Sequence, residues 1–224
     1  MERVVERCGR IDVLINNAGL AYIGLMESFT IDQAQRIFET NVFGVLRTIR
    51  AVLPQMHKQH SGLLIQVSSG AGRIVLPSMG LYCASKFALE AVTEAYRYEL
   101  AAEGIESVSV QPGAYPTPIF GKVEGGADAV RDEQYTVAKQ LGPKVKTTLE
   151  SSTADPMEIP QAILKIIQTP PGQRKLRYRI GKGASGVEVM NETAEQVQKQ
   201  LLDMFGLTNL TTFAVNDSTK TSSA

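Results

Sequence analysis

Apolar residues along this chain switch between two spacings, and each switch marks an element. Val4, Val5 and Cys8 share one face of a helix that Gly9 can end. Ile11-Asp12-Val13-Leu14-Ile15 is a short β-branched run, as expected for a buried parallel strand. Thr30 is placed to cap a helix over about 31–57, where Ala34, Ile37, Phe38, Val42, Val45, Leu46 and Ile49 recur at three- and four-residue steps. After Gly62, Leu63-Leu64-Ile65-Gln66-Val67 predicts a second strand. A helix follows over about 81–102, stopping near Gly104. Ser107-Val108-Ser109-Val110 predicts a third strand, closed by Pro112-Gly113. From 116 to 160 the pattern is irregular and weakly amphipathic. Beyond it, 159–167 reads as a helix, 176–180 as a fourth strand and 191–205 as a last helix. The stretch 208–224 is rich in Thr, Ser and Asn and is expected to be a disordered tail. No internal repeat is present.

Alternating strands and helices predict an α/β fold with a parallel sheet of about four strands. Composition agrees with one globular domain. The chain has 224 residues, 43% hydrophobic and 21% charged, and its formal net charge is zero. A neutral chain offers no broad field for nucleic acid or an anionic membrane. The basic run Arg174-Lys175-Leu176-Arg177-Tyr178-Arg179 is expected to be a strand with solvated alternate residues. Cys8 and Cys83 are too few for a disulfide framework or a zinc site. No apolar run approaches the roughly 20 residues that span a bilayer, and residues 1–10 have no apolar core of a secretory signal. Cytoplasmic residence is the expectation.

The candidate chemistry lies in two strings, Asn16-Asn17-Ala18-Gly19 and Tyr82-Cys83-Ala84-Ser85-Lys86. Tyr82 and Lys86 stand one helical turn apart, so they share a face. A phenol with a pKa of about 10 is a poor acid or base near neutrality, and a nearby ammonium favours its ionised form. Tyr-x-x-x-Lys therefore suits proton transfer, although any helix can carry it by chance. Ser69 stands 13 residues before Tyr82, at a strand end where parallel sheets place ligands. Asn41 stands 41 residues before Tyr82, inside the first long helix, where Asn is a mediocre helix former. Singly, Ser69 is also the natural start of a loop and Asn41 a natural solvated helix residue.

Taken together in order and spacing, Asn41, Ser69, Tyr82 and Lys86 resemble the catalytic tetrad of the short-chain dehydrogenase/reductase family. Asn16-Asn17-Ala18-Gly19 and Pro112-Gly113 with Thr117 fit the same family, and the resemblance covers about residues 1–190. It implies a Rossmann-like doubly wound sheet and hydride exchange between NAD or NADP and an alcohol or carbonyl. It implies that Tyr82 is the general acid/base, Ser69 holds the substrate oxygen, Lys86 lowers the Tyr82 pKa and grips the nicotinamide ribose, and Asn41 supports a water relay. Asn17, Ala18 and Gly19 would border the adenosine side of the cofactor. Pro112, Gly113 and Thr117 would border the nicotinamide, and Tyr82 and Lys86 would contact the cofactor as well. Ser68 is expected to point away. The string around Tyr82 is similar to the steroid and retinol dehydrogenase branch. With Ile119 and Phe120 after Thr117, it implies an apolar small-molecule substrate. The family pairs subunits through its two long helices, here about 31–57 and 81–102, so a homo-oligomer is implied.

The family's Gly-rich cofactor turn has no match ahead of Asn16. Residues 1–207 are therefore expected to be the C-terminal-side portion of such a Rossmann domain, lacking the N-terminal βαβαβ half and the residue that selects NAD or NADP. On that expectation the chain as given binds NAD(P)H weakly and turns over negligibly. The alternative is a non-catalytic family member acting as a dimerising or binding module. Gly181-Lys182-Gly183-Ala184-Ser185-Gly186 matches G-x-G-x-x-G and follows a predicted strand, but no further strand follows it, and a surface loop is the better reading. No metal site is predicted.

Overall fold

The structure is a computed structural model that describes residues 2–119, 122–181 and 186–214. Its sheet has four parallel strands, β1 (Val13–Asn16), β2 (Gly62–Val67), β3 (Ile105–Pro112) and β4 (Arg177–Ile180), in the order β1-β2-β3-β4. Val13 pairs with Leu63, Ile65 with Val108 and Val110 with Tyr178. Eight α-helices are described: α1 (Glu2–Cys8), α2 (Ile31–Phe38), α3 (Gly44–Gln59), α4 (Gly80–Glu99), α5 (Ala129–Asp132), α6 (Leu141–Glu150), α7 (Glu158–Gln168) and α8 (Gly186–Met204).

Strand alternation distributes the core to both faces of the sheet. Leu64 and Ile105 meet Ile49, Val52 and Met56 of α3 and Leu89 of α4 on one face. Leu63, Ile65, Val108 and Val110 meet Ile166 of α7 on the other. Each such aliphatic side chain, fully buried, contributes about 1.5–3 kcal/mol. A third cluster lies where the loop after β1 meets α2 and the start of α4. There Tyr22 stacks on Phe29 with centroids 5.5 Å apart, packed with Ile37, Ala71, Met79 and Leu81. Strand β1 forms one edge of the sheet, and its Ile15 is 43% exposed.

Five features depart from the expected pattern. The helix expected over 31–57 begins as predicted, with Thr30 and Gln33 forming a reciprocal capping box, but a π-helical turn at Glu39–Phe43 separates α2 from α3. The irregular stretch contains α5 and α6. The last helix begins at Gly186, ahead of the expected start. The basic run is not a solvated face: Arg174 is buried against Glu106, and Arg177 is buried against Glu90 and Glu94. The expected tail opens with a 3-10 turn at Thr208–Thr211, and 215–224 lie outside the described residues. Of the G-x-G-x-x-G string, 182–185 also lie outside them. Gly181 leaves β4 at φ +92°, and Gly186 opens α8.

Candidate active site

The C-terminal ends of the parallel strands carry the predicted residues. Ser69 follows β2 in an extended conformation, and its hydroxyl oxygen accepts from the Ala71 N–H at 3.1 Å, capping a 3-10 turn at Gly70–Gly72. Tyr82 and Lys86 occupy the first turns of α4 and face the sheet. Tyr82 is 9% exposed and Lys86 5%. The Lys86 ammonium donates to the Val67 carbonyl at 2.9 Å, at the end of β2, and lies 5.9 Å from the centroid of the Tyr82 ring.

Asn41 sits in the π turn, a local widening that often marks functional positions. Its amide group donates to the Leu20 carbonyl and to the Ser85 hydroxyl, both at 2.9 Å, and its oxygen accepts from the Leu20 N–H at 2.8 Å. It therefore clamps the loop after β1 to α4. Gly19 lies beside this clamp. A methyl group there would stand 3.4 Å from Asn41 Oδ1 and 3.7 Å from Lys86 Nζ, so both polar groups border one glycine.

A cavity of about 910 Å³ brings most of the predicted residues together. Asn17, Ala18, Gly19, Ser69, Tyr82, Lys86, Pro112, Gly113 and Thr117 all line it, and Asn41 supports its wall from behind. Ser68 also reaches the lining. Its hydroxyl is buried without a hydrogen-bond partner among the described residues. Leu76, Met79, Ile119, Leu149 and Ile159 give the remaining wall an apolar character. Phe120 lies outside the described residues.

Residues 1–127 match the family described as short chain dehydrogenase. The chain belongs to the short-chain dehydrogenase family. It is 36% identical over 165 residues to an uncharacterized oxidoreductase of Schizosaccharomyces pombe, covering 74% of this chain and 69% of that one. It is 32% identical over 173 residues to the estradiol 17-beta-dehydrogenase 1 of Rattus norvegicus, covering 76% of this chain and half of the relative. A solved short-chain dehydrogenase from Streptomyces avermitilis superimposes with a TM-score of 0.71 at 29% identity, covering 92% of this chain and 74% of that one. Solved proteins of this fold hold NAD or NADP.

For this dehydrogenase-family chain, burial dominates the electrostatics of the pair on α4. It pushes the Tyr82 phenol up, while the Ser69 hydroxyl, bonded to it, pulls it back. Burial pushes Lys86 down to about 8, partly opposed by the Glu90 carboxylate. The Lys86 ammonium donates to Val67 O at 2.9 Å and stays 5.9 Å from the centroid of the Tyr82 ring.

Two residues of the site escaped the sequence reading. Ser85 is fully buried, donates to the Tyr82 carbonyl at 2.7 Å and receives the Asn41 amide. A mid-helix Ser bonding back one turn gives no distinctive signal in sequence. Tyr115, 4% exposed, lines the cavity and donates to Glu158 Oε2 at 2.7 Å. Burial and this carboxylate push it up to about 12. Gly181 makes room for it, since a Cβ there would collide with the Tyr115 hydroxyl. No helix among the described residues is long and apolar enough to cross a membrane, and no group of metal-ligating side chains is found among them.

Proposed function

We propose that the chain carries the catalytic side of an enzyme that interconverts an alcohol and a carbonyl compound with NAD or NADP, with Tyr82 as general acid and base. The observation that carries this reading is the convergence of Ser69, Tyr82 and Lys86 on one cavity whose walls include 17–19 and the turn after β3. A nicotinamide nucleotide fits the residues present. The volume lies within the roughly 300–1,000 Å³ of small-molecule sites. Among the described residues the charged side chains of the lining, Lys86 and Lys122, are cationic, and Gly19 lets a ligand approach Asn41 and Lys86 closely.

Bound there, the nicotinamide supplies or accepts the hydride. In the reducing direction Tyr82 Oη gives its proton to the substrate oxygen as the carbonyl carbon gains the hydride, and in the oxidising direction Tyr82 takes that proton back. Ser69 donates to the same oxygen and steadies its developing charge. Lys86 holds positive charge beside the phenol and offers remaining protons to the ribose hydroxyls. Asn41 keeps the 17–20 loop and α4 in register, so the cofactor wall and Tyr82 stay at a fixed separation. Tyr115, tied to Glu158, sets the turn after β3 against the start of α7. The apolar wall favours an apolar substrate, and the rat relative is named for estradiol. The exposed Phe43 at the π turn and Phe87 of α4 favour pairing of two subunits through the long helices.

The test is isotopic. The protein is incubated with NADH or NADPH deuterated at the transferring carbon and a panel of hydrophobic ketones. Deuterium on the carbinol carbon of the product, seen by mass spectrometry, is expected. Absence of any labelled alcohol with both cofactors contradicts the reading.

A further inference from the structure

The buried charge of Lys86 is not balanced from the cavity. Among the described residues the lining carries no Asp or Glu, and the ammonium donates to a neutral group, the Val67 carbonyl. An ammonium withdrawn from water is costly unless a carboxylate stands near it. That carboxylate lies beneath the site. Glu90 follows Lys86 by one turn of α4, on the same face, and is 3% exposed. Its Oε1 accepts from Ser109 Oγ of β3 at 2.5 Å and its Oε2 from Arg177 Nε of β4 at 3.2 Å.

Gly72 shows how near this side chain comes to the site. A Cβ there would stand 3.0 Å from both Glu90 Cγ and Ser68 Oγ, and 3.1 Å from Lys86 O. Ser68 lines the cavity and directly follows Val67, whose carbonyl takes the ammonium. Glu90 thus packs under the end of β2 that anchors Lys86, and it ties α4 to β3 and β4 at that level. The charges facing it are Lys86 and Glu94 along α4, Arg177 from β4 and Arg73 from the turn after β2, where Glu195 of α8 also bears on Arg73. Arg177 is shared with Glu94, so it neutralises Glu90 only in part. We propose that Glu90 is a positioning residue that serves Lys86 as its counter-charge from below, keeping the ammonium charged and α4 seated on the end of β2 while the cavity side of the lysine stays open to a ligand. What this means for catalysis rests on the proton-transfer reading above.

The test reads Lys86 without cofactor or turnover. The full chain is labelled with lysine carrying 15N at Nζ, the Lys86 signal is assigned by its loss in Lys86→Met, and its shift is followed from pH 6 to 10. The parent midpoint is expected near 8. Glu90→Gln keeps the shape and the bond to Ser109 but removes the charge, and its midpoint is expected to fall by about one pH unit, the order for a partly neutralised charge one helical turn away. Arg177→Met breaks the same ion pair but leaves the carboxylate, and its midpoint is expected at or above the parent's. A structural loosening would move both variants the same way. An unchanged midpoint in Glu90→Gln, or a fall in both variants, overturns the proposal. If Glu90→Gln does not fold, a fall in Arg177→Met alone overturns it. Each of these failures leaves the role of Tyr82 standing, since that reading fails on the isotopic test.

Discussion

Replacing Lys86 by Met should change how stability depends on pH more than stability itself. Burial lowers the Lys86 pKa from 10.5 to about 8. At about 1.4 kcal/mol per pKa unit, keeping this amine charged at neutral pH costs the folded state about 3 kcal/mol. Between pH 8 and 10.5 the unfolded chain binds a proton that the folded chain has released, so the free energy of unfolding rises with pH there. By pH 10 the cost has fallen to about 1 kcal/mol, a gain of about 2 kcal/mol over neutral pH. Met has no proton to lose and fills a similar volume. Loss of the bond to Val67 O takes about 1 kcal/mol from the variant, equally at every pH. Burial also raises the pKa of Tyr82 and Cys83, but both groups are present in both proteins and largely cancel in the difference. Urea unfolding of parent and Lys86→Met at several pH values from about 7 to 10 gives that difference directly. It should move by about 2 kcal/mol in favour of the parent as pH rises. A difference that stays flat or moves the other way would show that Lys86 is not held in a low-dielectric site.

Glu106 is fully buried between Arg97 and Arg174 and accepts from the Gly172 N–H at 3.2 Å. Glu106→Ala leaves the Arg174 charge buried and unpaired and should lower unfolding free energy by about 3–5 kcal/mol, read from the urea midpoint. Asn41→Ala removes three hydrogen bonds and orphans both backbone groups of Leu20. It should cost about 2–4 kcal/mol and speed proteolysis selectively in the 17–20 loop; an unchanged cleavage pattern there would contradict the clamp.

The sheet and the helices that flank it were legible because their hydrophobic period is imposed by the faces they bury. Leu63, Leu64 and Ile65 run without interruption because β2 is covered on both sides. The π turn left no mark in Glu39-Thr40-Asn41-Val42-Phe43, since its reason is tertiary: Asn41 must reach Leu20 and Ser85 at once. Helix α6 was obscured by Gly142 and Pro143. It is held by Val145 and Leu149 packing on the cluster around Tyr22. Arg174 and Arg177 alternate like a solvated strand, yet their carboxylates, Glu90, Glu94 and Glu106, come from α4 and β3, out of reach of any local pattern. At the site, spacing along the chain brought Ser69, Tyr82 and Lys86 together. It could not show that the Lys86 ammonium turns to a backbone carbonyl, or that Tyr115 and Lys122 complete the wall.

The central claim is that the Tyr82 hydroxyl moves the proton. The direct measurement is the turnover of Tyr82→Phe on a ketone that the parent reduces, beside its affinity for the cofactor. Loss of a positioned general acid should lower kcat by about 100-fold or more. The Kd for NADH or NADPH should stay near the parent value, because the phenol acts on the reacting oxygen. A Phe variant that retains the parent's kcat would contradict the assignment.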